Sequence, residues 1–298
     1  MPWKDYVLAL RPWSLSASLI PVALGAVLSY RCHQEFHLLL CLATVGSVLA
    51  VHSAGNLVNT FYDFEKGVDK HGADDRTLVE RRLQPQDVVS LGMYLYGCGM
   101  VCLGCVIALT RAKSELVALL FFCGLSGSFL YTGGVGLKYY ALGDLIVLVA
   151  FGPLAVVFSF TVQAGHLLLA PLVLALPMAL HVEAALHSNN ARDIEADRRA
   201  GVVTLAIVLG RQRSYFLYVS LLLLPYLVYM VWGLQYSGPM ALPLLTLPFS
   251  FQLERDFRAG RLRHTPKATA KLNAAAGCLF VCGCLLARDI PFLECTST

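Results

Sequence analysis

The chain has 298 residues, 57% of them hydrophobic and 14% charged, with a mean hydropathy of +0.64. A composition this apolar over this length excludes a water-soluble globular domain and places the protein in a bilayer. The formal net charge of +4 is no argument for nucleic acid as a partner, because the basic residues gather in short loops beside apolar segments and so report topology.

A helix needs about 20 apolar residues to cross the hydrocarbon core. Nine such stretches are predicted, near 14–30, 37–61, 88–110, 114–132, 142–163, 167–189, 212–234, 238–253 and 270–287. The eighth is short and interrupted by proline. The expected fold is therefore all-α: a polytopic membrane protein of about nine transmembrane helices, with residues 1–298 forming one transmembrane domain. With nine spans the 23 Lys and Arg residues divide 19 to 4 between the two faces, only Arg31, Arg111, Lys113 and Arg288 falling on the poorer one. The positive-inside rule then predicts a cytoplasmic N-terminus and a C-terminus on the far side. The sequence MPWKDYVLALRPW lacks the pattern of a cleavable signal peptide, so the first span is expected to act as its own insertion signal. Cys102 and Cys105 form a C-x-x-C pair without a second ligand pair in a loop, and are read as helix-packing residues rather than metal ligands.

Ten of the 19 acidic residues fall in two loops, 62–87 and 190–211, on the same expected face. The second span ends in Asn56, Asn59 and Asp63, and the four-residue step from Asn59 to Asp63 puts both on one helix face. The sixth span ends in Asn189, Asp193 and Asp197, again at four-residue spacing. An apolar helix followed by Asn-x-x-x-Asp, more acids and a basic loop thus occurs twice, with 130 residues from Asn59 to Asn189. The pattern predicts two pseudo-repeated halves that each give one carboxylate cluster to a central cavity at their interface.

Mg²⁺ takes oxygen ligands and commonly binds through a few carboxylates plus substrate phosphates. Two facing Asp clusters would hold such ions around a diphosphate and neutralise its charge as it leaves. The residues expected to be catalytic are Asn59, Asp63, Asp193 and Asp197, and the expected metal ligands are these four with Asp69 and Asn189. Lys66, Arg76, Lys138, Arg192 and Arg198 are the candidates for the outer diphosphate oxygens. Tyr131, Tyr139 and Asn190 are candidates for substrate contact, although Tyr131, Tyr139 and Tyr140 equally suit an interfacial aromatic belt. Gly133-Gly134-x-Gly136 reads as a turn or as a close backbone approach to a phosphate. Glu65, Asp74, Glu80, Asp87 and Glu195 read as solvated loop acids. Glu183, inside the sixth span, either lines the cavity or bonds a neighbouring helix.

These residues resemble the UbiA superfamily of intramembrane prenyltransferases, whose motifs are written N-D-x-x-D-x-x-x-D and D-x-x-x-D. Here the first runs Asn59-Thr60-Phe61-Tyr62-Asp63 and continues to Asp69, and the second is Asp193-Ile194-Glu195-Ala196-Asp197. Thr60 stands where the usual second-position Asp would be, and Asp69 comes two positions late, after Lys66-Gly67. That spacing is similar to the menaquinone branch, as are Arg11-Pro12-Trp13-Ser14, Leu142-Gly143-Asp144, Phe151-Gly152-Pro153-Leu154 and Thr269-Ala270-Lys271-Leu272-Asn273. The resemblance implies Mg²⁺ or Mn²⁺, a donor such as geranylgeranyl diphosphate, a naphthoquinone acceptor such as reduced menadione, and menaquinone-4 as product. It further implies an endoplasmic reticulum and Golgi address and association with HMG-CoA reductase. The competing readings are a 4-hydroxybenzoate prenyltransferase, a membrane transporter and a lipid-binding regulator.

Overall fold

The computed structural model describes residues 3–69 and 75–293. Their regular structure is helical, apart from one isolated parallel bridge between Tyr140 and Val203. In chain order the helices are α1 (Trp3–Ala9), α2 (Ser16–His33), α3 (Leu38–Glu65), α4 (Pro85–Leu109), α5 (Ser114–Leu130), α6 (Gly143–Val149), α7 (Ala155–Ala164), α8 (Ala170–Arg199), α9 (Leu205–Gln235), α10 (Leu247–Arg258) and α11 (Thr265–Leu286). A π-turn, Ala150–Leu154, joins α6 to α7 around Pro153, so that Gly143–Ala164 runs as one rod. Local chemistry sets the ends. α4 starts with Pro85, and the Asp87 side chain accepts from the Gln84 backbone N–H at 3.0 Å. Thr204 caps α9, and Gly165, with φ +80°, closes α7 in the left-handed conformation.

Among the described residues six helices are long and apolar enough to cross a membrane: α3, α4, the α6–α7 rod, α8, α9 and α11. This is fewer than the nine spans expected, for three physical reasons. The serines, Arg31 and His33 dilute the apolarity of α2. α5 has only 17 residues. The eighth expected span is broken into a 3₁₀ segment, Gly238–Thr246, and the amphipathic α10. The polytopic all-α architecture holds.

The largest apolar core joins α2, α7, α8, α9 and α11 through residues such as Leu28, Phe160, Met178, Tyr229 and Phe280. Without a hydrophobic driving force between helices in lipid, close backbone approach at small residues carries much of the packing. At Gly25 of α2 an added Cβ would lie 2.4 Å from the Val156 carbonyl oxygen of α7. At Gly152 of the π-turn it would lie 2.3 Å from Ala179 Cβ, which is why the α6–α7 rod lies so close against α8.

Candidate active site

A cavity of about 1820 Å³ lies among these helices, well above the few hundred to about 1,000 Å³ typical of small-ligand pockets. Helical periodicity builds its walls. On α3 the lining residues step through Val48, Val51, Gly55, Asn59 and Asp63, a single face that grades from apolar to acidic over about 22 Å. On α8 they step through Val182, Leu186, Asn189, Asp193 and Asp197. Phe121 and Leu125 of α5, with Phe151 and Phe158 of the α6–α7 rod, make the apolar arm.

The structure brings both acidic motifs to this one cavity. Asn59 spends its amide N–H on Thr132 Oγ1 at 3.0 Å, which keeps the amide oxygen as the atom it can offer a cation. Asp63 is held at both oxygens: Lys138 Nζ is 2.5 Å from Oδ2, and the Tyr139 hydroxyl donates to Oδ1 at 2.8 Å. The Lys66 ammonium lies 3.8 Å above the Tyr139 ring. Tyr139 and Lys66 therefore act behind Asp63 and do not themselves line the cavity.

Helix α3 ends at Glu65, and Gly67, with φ +66°, reverses the chain so that the backbone N–H groups of Val68 and Asp69 return to the Asp63 carbonyl. Asp69 reaches the cavity from this turn, not from a further helical turn, which accounts for its late position in the motif. Burial, then the neighbouring Asp63 and Asp75 carboxylates, pushes the Asp69 carboxyl up to about 7.

Asp75 was not among the sequence candidates. Arg11 Nη2 donates to its Oδ2 at 2.7 Å, Thr60 Oγ1 donates to the same oxygen at 2.5 Å, and the Thr77 backbone N–H donates to Oδ1 at 2.9 Å. Burial opposes the ionised form, but Arg11 and these hydrogen bonds hold the carboxyl well below the usual range. The signal that could have found it is Thr60 itself, a hydroxyl where the family motif has an acid. Asp74 lies outside the described residues.

In the second motif Arg192 folds over Asp193, with Nε 2.7 Å from Oδ1 and Nη2 2.6 Å from Oδ2, and Nη2 also donates to Asn189 Oδ1 at 2.9 Å. Arg76 lines the cavity mouth and pairs with Glu80 at 3.2 Å. Arg198 does not line the cavity: it is paired with Glu195 at 3.6 Å on the exposed side of α8. Tyr131 and Asn190 line the cavity, whereas Tyr140 is exposed and bridges to Val203. Gly133, Gly134 and Gly136 build a tight turn, and none of the three lines the cavity. Glu183 is buried, 4% exposed, and does not line the cavity. Arg11, Arg211, Arg263 and Lys267 add positive charge to the lining that the motif reading had not singled out.

A donor set of carboxylates and amide oxygens, ringed by guanidinium and ammonium groups, fits Mg²⁺ with a diphosphate. A cavity charged at one end and apolar at the other suits a substrate with an anionic head and a hydrocarbon tail, and fold and site together define an intramembrane prenyltransferase. The chain belongs to the UbiA prenyltransferase family, whose profile matches residues 18–282. It is 57% identical over 283 residues to human UbiA prenyltransferase domain-containing protein 1, covering 95% of this chain and 84% of that protein. The homologue in Drosophila melanogaster is 53% identical over 296 residues, covering 98% and 82% respectively. Among solved structures the fold matches a UbiA homologue from Archaeoglobus fulgidus bound to GPP and Mg²⁺, with TM-score 0.70 and 15% identity over 94% of this chain and 98% of that one. Family membership sets the enzyme reading above the transporter and regulator readings.

Proposed function

We propose that this protein transfers a prenyl group, geranylgeranyl in particular, from its diphosphate to a naphthoquinol, giving a menaquinone such as menaquinone-4. The observation that carries the reading is the meeting of Asp63 and Asp193, from two separate helices, in one cavity with an apolar arm. The acceptor class rests on the menaquinone-like run Lys66-Gly67-x-Asp69.

Asn59, Asp63, Asp69, Asn189, Asp193 and Asp197 would hold Mg²⁺, which when bound would stabilise charge on the departing diphosphate. Lys138 and Arg192, which pair with Asp63 and Asp193, would turn to the diphosphate oxygens, with Arg76 at the mouth. The prenyl tail lies against Phe121, Phe151 and Phe158, whose apolar surface keeps water from the allylic carbon as the C–O bond breaks. The C–O electron pair leaves with the diphosphate, and an electron-rich ring carbon forms the new C–C bond.

The charge asymmetry and the resemblance support a cytoplasmic N-terminus, a single domain in endoplasmic reticulum and Golgi membranes, and association with HMG-CoA reductase, which co-purification from those membranes tests. The function itself is tested by purified chain in lipid nanodiscs offered several prenyl diphosphates with reduced menadione or 4-hydroxybenzoate. Product masses should show geranylgeranyl naphthoquinol as the favoured product. Equal or better use of 4-hydroxybenzoate would overturn the acceptor assignment.

A further inference from the structure

Asp144, at the start of α6, is 7% exposed and lines the cavity, yet it belongs to neither acidic motif. The close approach of Gly152 to Ala179 presses its rod onto α8, where three side chains surround the carboxyl. Asn190 Nδ2 donates to Oδ2 at 3.4 Å, and His187 Nδ1 lies 3.4 Å from Oδ1. One ligand-type atom each from Asp144, Glu183 and His187 falls within 4.8 Å of the others. His187 is 0% exposed and Glu183 4%, and neither oxygen of Glu183 has a well-formed hydrogen bond. Buried acceptors left in this state are costly. A hydrogen shared between the two carboxyls would supply the missing partner.

The depth of Asp144 fits a chemical task. Asn190, which touches it, lies three residues inward of Asp193 on α8, a drop of about 4.5 Å along the helix axis. With the diphosphate at the level of Asp193 and the tail along the apolar arm, the allylic carbon comes to the level of Asn190 and Asp144. Alkylating an aromatic ring carbon releases a proton from that carbon, and the acids of the two motifs are committed to cations.

We propose that Asp144 takes the proton released when the acceptor ring is alkylated, and that Glu183 and His187 behind it position its carboxylate. The inference rests on the aromatic prenyltransferase reading given above. The ring carbon forms its bond to the allylic carbon, and the allylic C–O bond breaks with its electron pair going to diphosphate. The ring C–H bond then breaks, its pair returning to the ring and its proton going to the Asp144 carboxylate. The acceptor class is a hydroxylated aromatic with an unsubstituted carbon beside the hydroxyl, which Asn190 and Asp144 would bind.

The test measures diphosphate release, prenylated quinol and prenyl alcohol together, using full-length chain in nanodiscs with geranylgeranyl diphosphate and reduced menadione. Asp144→Asn should keep diphosphate release within a few-fold of wild type while coupled product falls on the order of 10²-fold, the scale of a lost general base. The missing product should appear as prenyl alcohol, because ionisation survives and water captures the allylic carbon. Asp144→Glu should restore part of the coupling. Glu183→Gln, which keeps the shape behind Asp144, should show the same shift from quinol to alcohol to a smaller degree and serves if Asp144→Asn does not fold. Coupled product at the wild-type rate in Asp144→Asn would overturn the proposal. So would diphosphate release that falls in step with product, which would assign Asp144 to the cation site. Wild-type chain that makes no prenylated aromatic at all would overturn the function reading instead.

Discussion

Lys138 and Asp63 form an ion pair at 2.5 Å in the wall of the cavity, their side chains 17% and 7% exposed. Arg192 does the same to Asp193 at 2.6 Å. Each acidic motif thus carries its own counter-charge, in a place where an unpaired carboxylate would be costly. A cation and a diphosphate arriving together let the pair separate without leaving either charge alone.

Replacing Lys138 tests this exchange. Lys138→Ala should lower kcat/KM for the prenyl diphosphate on the order of 10²-fold through a raised KM and a reduced kcat, since the ammonium would bind the diphosphate in the ground state and bind it more strongly as charge builds on it in the transition state. Lys138→Arg should keep most of the binding. Unchanged steady-state kinetics in Lys138→Ala would remove the lysine from the diphosphate site.

Proton release should accompany metal binding. Asp69 titrates near 7 because burial and two neighbouring carboxylates disfavour its charge. It is protonated below that pH, and a cation needs the ionised form, so Mg²⁺ affinity should rise with pH up to about 7 and then level off. Calorimetry at pH 6 in buffers of different ionisation enthalpy should detect proton release on binding, and Asp69→Asn should reduce it. A pH-independent affinity would exclude Asp69 from the cation site.

The Arg11–Asp75–Thr60 cluster should be structural support for the cavity mouth. Thr60→Val keeps the shape but removes the 2.5 Å hydrogen bond to Asp75, at an expected loss of about 1 kcal/mol. Asp75→Asn removes the charge facing Arg11 and should be worse, about 3 kcal/mol. Thermal melting in detergent would measure both. The carboxyl is depressed below its unfolded value, so its contribution is fully present above about pH 4 and is lost only as pH falls toward the folded value. Equal melting temperatures for all three chains would contradict this role.

Chain-length preference should be set in the apolar arm. Gly124 of α5 lines the cavity, and a Cβ there meets only Leu154 Cδ2 at an ordinary 3.7 Å. Gly124→Leu therefore fills tail space without forcing the backbone. Turnover with geranylgeranyl diphosphate should fall relative to geranyl diphosphate, read from paired product masses. An unchanged ratio would place the tail elsewhere.

Much of this was legible in the sequence because helices translate spacing into geometry. Four-residue steps at Asn59–Asp63 and Asn189–Asp193–Asp197 put each set on a cavity-lining face, and hydropathy located the helices that carry them. What spacing could not give was partner choice across elements. That Lys138 lies on Asp63 while Arg198 turns outward to Glu195 depends on which way a loop or helix face is rotated. Asp75 escaped notice because it reaches the site from a loop with no periodicity. Asp144 was visible only as part of Leu142-Gly143-Asp144, since its neighbours His187 and Glu183 are more than 35 residues away in sequence. Span counting overreached where an apolar 3₁₀ segment runs into the amphipathic α10 without forming one continuous rod.

The central claim is that the two acidic motifs act on one diphosphate. Steady-state turnover of Asp63→Asn, Asp193→Asn and the double variant, each checked for membrane insertion and intact size-exclusion behaviour, tests it most directly. Each change removes one charge and keeps the side-chain shape. Both single variants should lose nearly all activity, and the double variant should be scarcely worse than either, because groups that act as one unit are strongly non-additive. Glu80→Gln, outside the cavity on the surface, should retain most activity as the control. Near-normal turnover in Asp63→Asn, or losses that simply multiply in the double variant, would mean that the motifs do not share a substrate.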